Sequence, residues 1–273
     1  MGANGALPGR HRGLLDDTDR RGPAEGGRGL KSLLSGEHLA ALVAIAAFSV
    51  GLTLAARLRP GPWIKPFALG LGAFLILAEI SWWTYLYVTH APFSMAYSLP
   101  LQLCEIGALV TALALWLRTR LLVELAYFWG MAGALIAVLT PDVAGHWPAF
   151  PFVQYFAGHG AAIAASCFLV FGLRLEPRRW APAWVLLLTG LLALAVYGAD
   201  VVTGGNYMYL RAKPTSGPTP LDVFGPWPWY LLPGTAVAVL AVLILQLPFW
   251  LPAGHTARSG PQINASTAPD REI

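Results

Sequence analysis

The chain has 273 residues, 56% of them hydrophobic and only 12% charged, with a formal net charge of +4 and two cysteines. So few charges among so many apolar residues exclude an ordinary soluble domain and an intrinsically disordered chain. The apolar residues fall in blocks of roughly twenty, the length that crosses ~30 Å of hydrocarbon at 1.5 Å per residue, and no strand-length alternation points to a barrel. The expected class is therefore all-α: a polytopic transmembrane helix bundle with about seven spans.

Residues 1–36 carry Arg10, Arg12, Arg20, Arg21, Arg28 and Lys31 among many glycines. With almost no apolar content they are expected to form a disordered basic tail. Such a tail can bind anionic lipid or nucleic acid; this one is read as solvated, with no nucleic-acid partner. No cleavable signal peptide is expected, because the first apolar run is long and follows a long polar stretch. The transmembrane domain is expected over 37–251, with spans near Glu37–Arg57, Pro66–Thr89, Leu99–Leu117, Leu121–Thr140, Phe152–Leu173, Ala181–Val201 and Pro228–Leu251. Pro60-Gly61-Pro62, Pro92, and Pro141 with Pro148 and Pro151 mark the breaks. Residues 252–273 form a polar C-terminal tail.

Charge sets the orientation. The first, third and fifth connections carry Arg57, Arg59 and Lys65, then Arg118 and Arg120, then Arg174, Arg178 and Arg179. The second and fourth carry no Lys or Arg, and the sixth only Arg211 and Lys213. The positive-inside rule puts the basic connections in the cytoplasm, the N-terminus outside and the C-terminus inside a cell membrane. The basic N-terminal tail opposes this, but the rule concerns short loops near span ends.

The side away from the basic loops holds His90, Gln102, Cys104, Glu105, Asp142, His146, Gln154, His159, Asp200, Asn206, Arg211, Lys213 and Asp222, with Glu79 in the middle of the second span. Polar groups in a bilayer are expensive and mark a cavity or a site. The long connection Val202–Trp227 opens on this side and reads as a lid or re-entrant element. Glu124 and Asp200 sit near span ends and read as interfacial. Trp82, Trp83, Trp227, Trp229 and Tyr230 suit an aromatic belt.

Cys104 lies about five residues into the third expected span, ~7 Å along its axis, and His159 about seven into the fifth, ~10 Å. A thiol and an imidazole at matched depth are the minimum parts of an activated nucleophile. Cys167 reads as a small buried hydrophobe. Gln102 and Glu105 flank Cys104, and Glu105 is placed to orient a histidine ring. Gly158 and Gly160 flank His159, and Tyr155 lies one turn earlier on its face. His90, His146 and His159 with Glu79, Glu105 or Asp142 offer metal-ligand types, but no HxxxH or HxxE spacing appears on a helix, so no metal is expected. No cofactor is implied.

The strings Leu99-Pro100-Leu101-Gln102-Leu103-Cys104, Leu125-Ala126-Tyr127-Phe128-Trp129-Gly130, Leu139-Thr140-Pro141-Asp142, Gly205-Asn206-Tyr207-Met208-Tyr209-Leu210 and Gly225-Pro226-Trp227-Pro228-Trp229-Tyr230 occur in this order. Together they resemble the bacterial YwaF-like integral membrane proteins, related to the eukaryotic transmembrane protein 164 family. The resemblance covers roughly Glu37–Leu251. It implies acyl transfer onto lysophospholipids by a cysteine and a histidine, which match Cys104 and His159. The family commonly has His where this chain has Gln102, and often Asp where it has Glu105.

The leading reading is a cysteine-dependent acyltransferase acting on membrane (lyso)phospholipids. Cys104 and His159 would be catalytic, and Gln102, Glu105, Asn206, Arg211 and Lys213 would contact substrate, the two cations holding a phosphate. A small transporter or lipid-binding protein with a polar intramembrane cavity is the alternative. A lipid or ester hydrolase would use the same residues with water as acceptor.

Overall fold

The computed structural model describes residues 35–91, 93–141, 143, 145–213 and 223–251. Residues 1–34 of the basic tail, the C-terminal tail 252–273, Asp142, Asp222 and the middle of the last long connection lie outside the described residues. The described chain forms α1 (Gly36–Leu58), α2 (Ile64–Val88), α3 (Leu103–Leu117), α4 (Arg120–Leu139), α5 (Phe150–Cys167, prolonged by a π-helical turn Phe168–Gly172), α6 (Ala181–Thr203) and α7 (Leu231–Trp250). Six of these are long and apolar enough to cross a membrane, and no strand occurs among the described residues.

The exception is α3. Its 15 residues span roughly 22 Å, short of the hydrocarbon thickness. The expected span began at Leu99, and the difference has a local cause. Pro100 has no N–H and pushes the residue before it out of helical geometry. The helix instead starts at a capping box: the Gln102 side chain accepts from the backbone of Glu105, and Glu105 Oε2 accepts the Gln102 N–H at 3.0 Å. The last helix similarly starts at Leu231, after the Trp227–Tyr230 turn, rather than at Pro228.

The helix α5 is the axis of the bundle. It packs on α1, α2, α3 and α4. The run Ala161, Ala162, Ala164 and Ala165 is buried in its middle, and such small residues let backbones approach where lipid gives no hydrophobic drive for association. The last two helices flank α4: Trp129 Nε1 donates to Thr189 Oγ1 at 2.8 Å, and Tyr127 OH to the Leu245 carbonyl at 3.0 Å.

The basic connections 59–63, 118–119 and 173–180 share one face. There Glu124, 1% exposed, accepts two guanidinium hydrogen bonds from Arg178 at 2.8 and 2.7 Å and the Arg178 N–H at 2.9 Å. Trp250 Nε1 donates to the Arg179 carbonyl on the same face. At the other face Glu37 pairs with His146. Both carboxylates read as interfacial lie near helix ends and are buried within the protein: Glu124 in an ion pair, and Asp200, 0% exposed, accepting the Tyr207 N–H. Tyr230 is also buried, its OH donating to the Tyr209 carbonyl, whereas Trp83, Trp227 and Trp229 are exposed.

Candidate functional site

The late start of α3 places Cys104 in its first turn. The helix α2, which carries Glu79, packs along α3. Glu79 is nine residues short of the end of α2, about 14 Å along its axis. Residues 99–102 approach the start of α3 as extended and turning chain.

The helix α4 is a ruler shared by both candidate residues. Ser166 of α5 donates to the Ala126 carbonyl at 2.8 Å, and Tyr155 OH to the Ala137 carbonyl at 2.9 Å. A Cβ built at Gly130 would lie 3.6 Å from the Ala162 carbonyl. These antiparallel pairings step regularly and put His159 opposite Gly133. On α3, Gly107 meets Trp129, and Thr111 Oγ1 lies 3.4 Å from the Cβ position of Gly130. One turn back, on the face of Gly107, Ala108 and Thr111, Cys104 stands level with the segment around Gly133. Both residues are half-buried, and α3 packs directly on α5. No hydrogen bond joins Cys104 to His159 among the described residues.

His159 Nδ1 lies 2.8 Å from the Tyr155 carbonyl. A carbonyl can only accept, so Nδ1 carries the proton and Nε2 presents its lone pair. The Tyr155 ring lies against the imidazole at 4.3 Å between centroids. Sequence reasoning gave the orienting role to Glu105. Glu105 is instead bonded to the Gln102 backbone, and the group that holds the ring is the carbonyl four residues earlier in the same helix. Nothing in the residue types signals that partner.

The other expected site residues converge on the lid. Gln102 Oε1 accepts the Met208 N–H at 2.9 Å. Tyr207 OH donates to the Met95 carbonyl and accepts the Leu99 N–H. Asn206 Oδ1 accepts the N–H groups of Arg211 and Ala212, and Arg211 Nη1 donates to the Asp200 and Gly205 carbonyls. Lys213 lies over the Tyr230 ring at 5.8 Å. The segment Gly204–Lys213 thus covers the start of α3. Gly205 allows the close approach, since a Cβ there would fall 2.8 Å from the Ala96 carbonyl. Burial pushes the Tyr207 phenol above its usual range.

Cys167 packs against the hydrophobic core, its sulfur 3.8 Å from that of Met131. A separate apolar groove of about 950 Å³ runs between α1, α2 and α5, lined by Ile45, Phe48, Phe74, Val153, Phe156 and Ala157 among others, with Glu37 and Trp147 at one end. It lies on the opposite side of α5 from His159. Among the described residues no cluster of three or more metal-ligand side chains occurs.

A multi-pass helical membrane protein with one short helix, whose start is covered by the segment Gly204–Lys213, is the class these features define. Residues 33–246 match the TMEM164 family, and the chain belongs to it. No curated protein and no solved structure shows a significant match.

Proposed function

We propose that the protein is a cysteine-dependent acyltransferase acting on membrane phospholipids, with Cys104 as nucleophile and His159 as general base and acid. What supports this reading is that the contacts of α3 and α5 along α4 put Cys104 and His159 at a similar level, with the imidazole held in the tautomer whose Nε2 accepts a proton. The family's resemblance-based link to acyl transfer supports it.

In the first half-reaction Cys104 Sγ attacks the ester carbonyl of a donor phospholipid. His159 Nε2 takes the thiol proton and passes it to the departing alkoxide as the ester C–O bond breaks, leaving a thioester and a lysophospholipid. In the second, the hydroxyl of an acceptor lysophospholipid attacks the thioester carbonyl. Nε2 takes the hydroxyl proton and returns it to sulfur as the C–S bond breaks. Transfer of the thiol proton brings Sγ and Nε2 within hydrogen-bond reach of each other in the substrate complex. Exposed Arg211 stands at the lid margin, where a phosphate would be held. The basic face is assigned to the cytoplasm, so the site opens on the outer side.

The test is transfer of a labelled acyl chain from phospholipid to lysophospholipid by purified protein in vesicles. Cys104→Ala and Cys104→Ser are expected to abolish it and His159→Ala to lower it about 10²-fold or more. Transfer that persists in Cys104→Ala overturns the reading and favours a solute or lipid carrier, which tolerates that change.

A further inference from the structure

We infer that Gly133 is the specificity-determining position of this site: its missing side chain leaves the space in which the carbonyl of a lipid acyl ester lies between Cys104 and His159. The identity of the ligand rests on the acyl-transfer reading; the space does not.

Close packing on this face of α4 is interrupted at Gly133, while Ala134 and Val138 further along the helix are buried on its other sides. A Cβ at Gly130 would fall 2.5 Å from Ser166 Oγ, and one at Gly107 on α3 would fall 3.5 Å from the Trp129 Cβ. A Cβ at Gly133 would meet no heavy atom within 4 Å. The direction is set by neighbours on the same helix. At 3.6 residues per turn, Gly133 points between Trp129, which faces α3, and Gly130 and Ala137, which face α5. The empty direction is therefore the one between the first turn of α3 and the His159 face of α5.

Gly133 is half-buried, so this side of α4 reaches the bundle surface. Ile136, three residues further along, is 51% exposed on the bundle surface, while Trp129, one turn the other way, is closed off by its bond to Thr189. A ligand enters sideways from the lipid layer rather than from the basic face. An apolar chain with one polar carbonyl fits that route. It would keep its chain near Ile136 and bring its carbonyl to the thiol and imidazole.

The experiment uses full-length protein in vesicles, with Gly133→Ala and Gly133→Leu, and reads alkylation of Cys104 by N-ethylmaleimide and by N-dodecylmaleimide. Gly133→Leu is expected to keep the wild-type melting temperature, since nothing occupies the space, and to slow the dodecyl reagent at Cys104 about tenfold or more. Labelling of Cys167 should not change. Wild-type rates with both reagents would overturn the inference. Acyl transfer is read in parallel. If wild-type protein transfers no acyl group yet Gly133→Leu blocks labelling, the space stands and the acyl-transfer reading falls. If transfer occurs and neither variant alters it or the labelling, Gly133 is excluded and the transferase reading stands. Should Gly133→Leu melt early, Gly133→Ala is compared over donors of decreasing acyl length. A shift of preference toward shorter chains supports the inference, and an unchanged profile overturns it.

Discussion

Because the Tyr155 carbonyl can only accept, the protonation pattern of His159 is set by its own helix and needs no third side chain. This makes the two cysteines a matched comparison. Cys104 stands level with a histidine whose Nε2 is free to accept, and Cys167 touches a methionine sulfur. A lipid-soluble alkylating reagent should therefore modify Cys104 faster than Cys167, and His159→Ala should erase much of the difference. Equal rates insensitive to His159 would make both thiols packing groups. The Glu124–Arg178 pair allows a stability prediction. Arg178→Ala leaves a carboxylate buried without its partner, and about 3 kcal/mol of stability should be lost in a detergent melt. Its charge at the end of an apolar run was legible in the sequence. Its burial was not, because the partner lies 54 residues away.

Among the elements, α3 departs most from expectation, and the reason is local. Pro100 and the Gln102–Glu105 capping box shorten it, and the polar residues read as substrate contacts are the ones that build its cap and bind the lid. The sequence showed that polar side chains gather at this end. It did not show that hydrogen bonds to backbone occupy Gln102, Glu105 and Asn206, because backbone partners leave no mark on residue type. Gly205→Leu should displace the lid, since its Cβ would clash with the Ala96 carbonyl. Cys104 should then react several-fold faster with a water-soluble maleimide, the added access being worth ~1 kcal/mol or more. An unchanged rate would mean that the lid does not guard the thiol. The lid also carries a pH signature. Tyr207 titrates above its ordinary value because it is buried, so its stabilising contribution is complete below pH ~10 and fades as pH rises toward the raised value. Tyr207→Phe should remove that alkaline loosening, measured as maleimide access to Cys104.

For the molecule as a whole, the helical class, the number of helices and the clustering of basic connections on one face were legible, since each follows from hydropathy and charge alone. The central place of α5 was not, because its alanine-rich run carries a weaker apolar signal than the lipid-facing helices while making more of the core. Reporter fusions at Arg118 and His146 should read opposite compartments, with Arg118 cytoplasmic.

The central claim is a covalent one and is tested most directly by trapping. Protein incubated with a donor phospholipid and no acceptor, then digested and weighed, should yield a Cys104 peptide heavier by one acyl group. Neutral hydroxylamine should remove the adduct, Cys104→Ala should lack it, and His159→Ala should form it far more slowly. Acyl exchange without any adduct on Cys104, or an adduct that forms at the same rate in His159→Ala, would contradict the assignment.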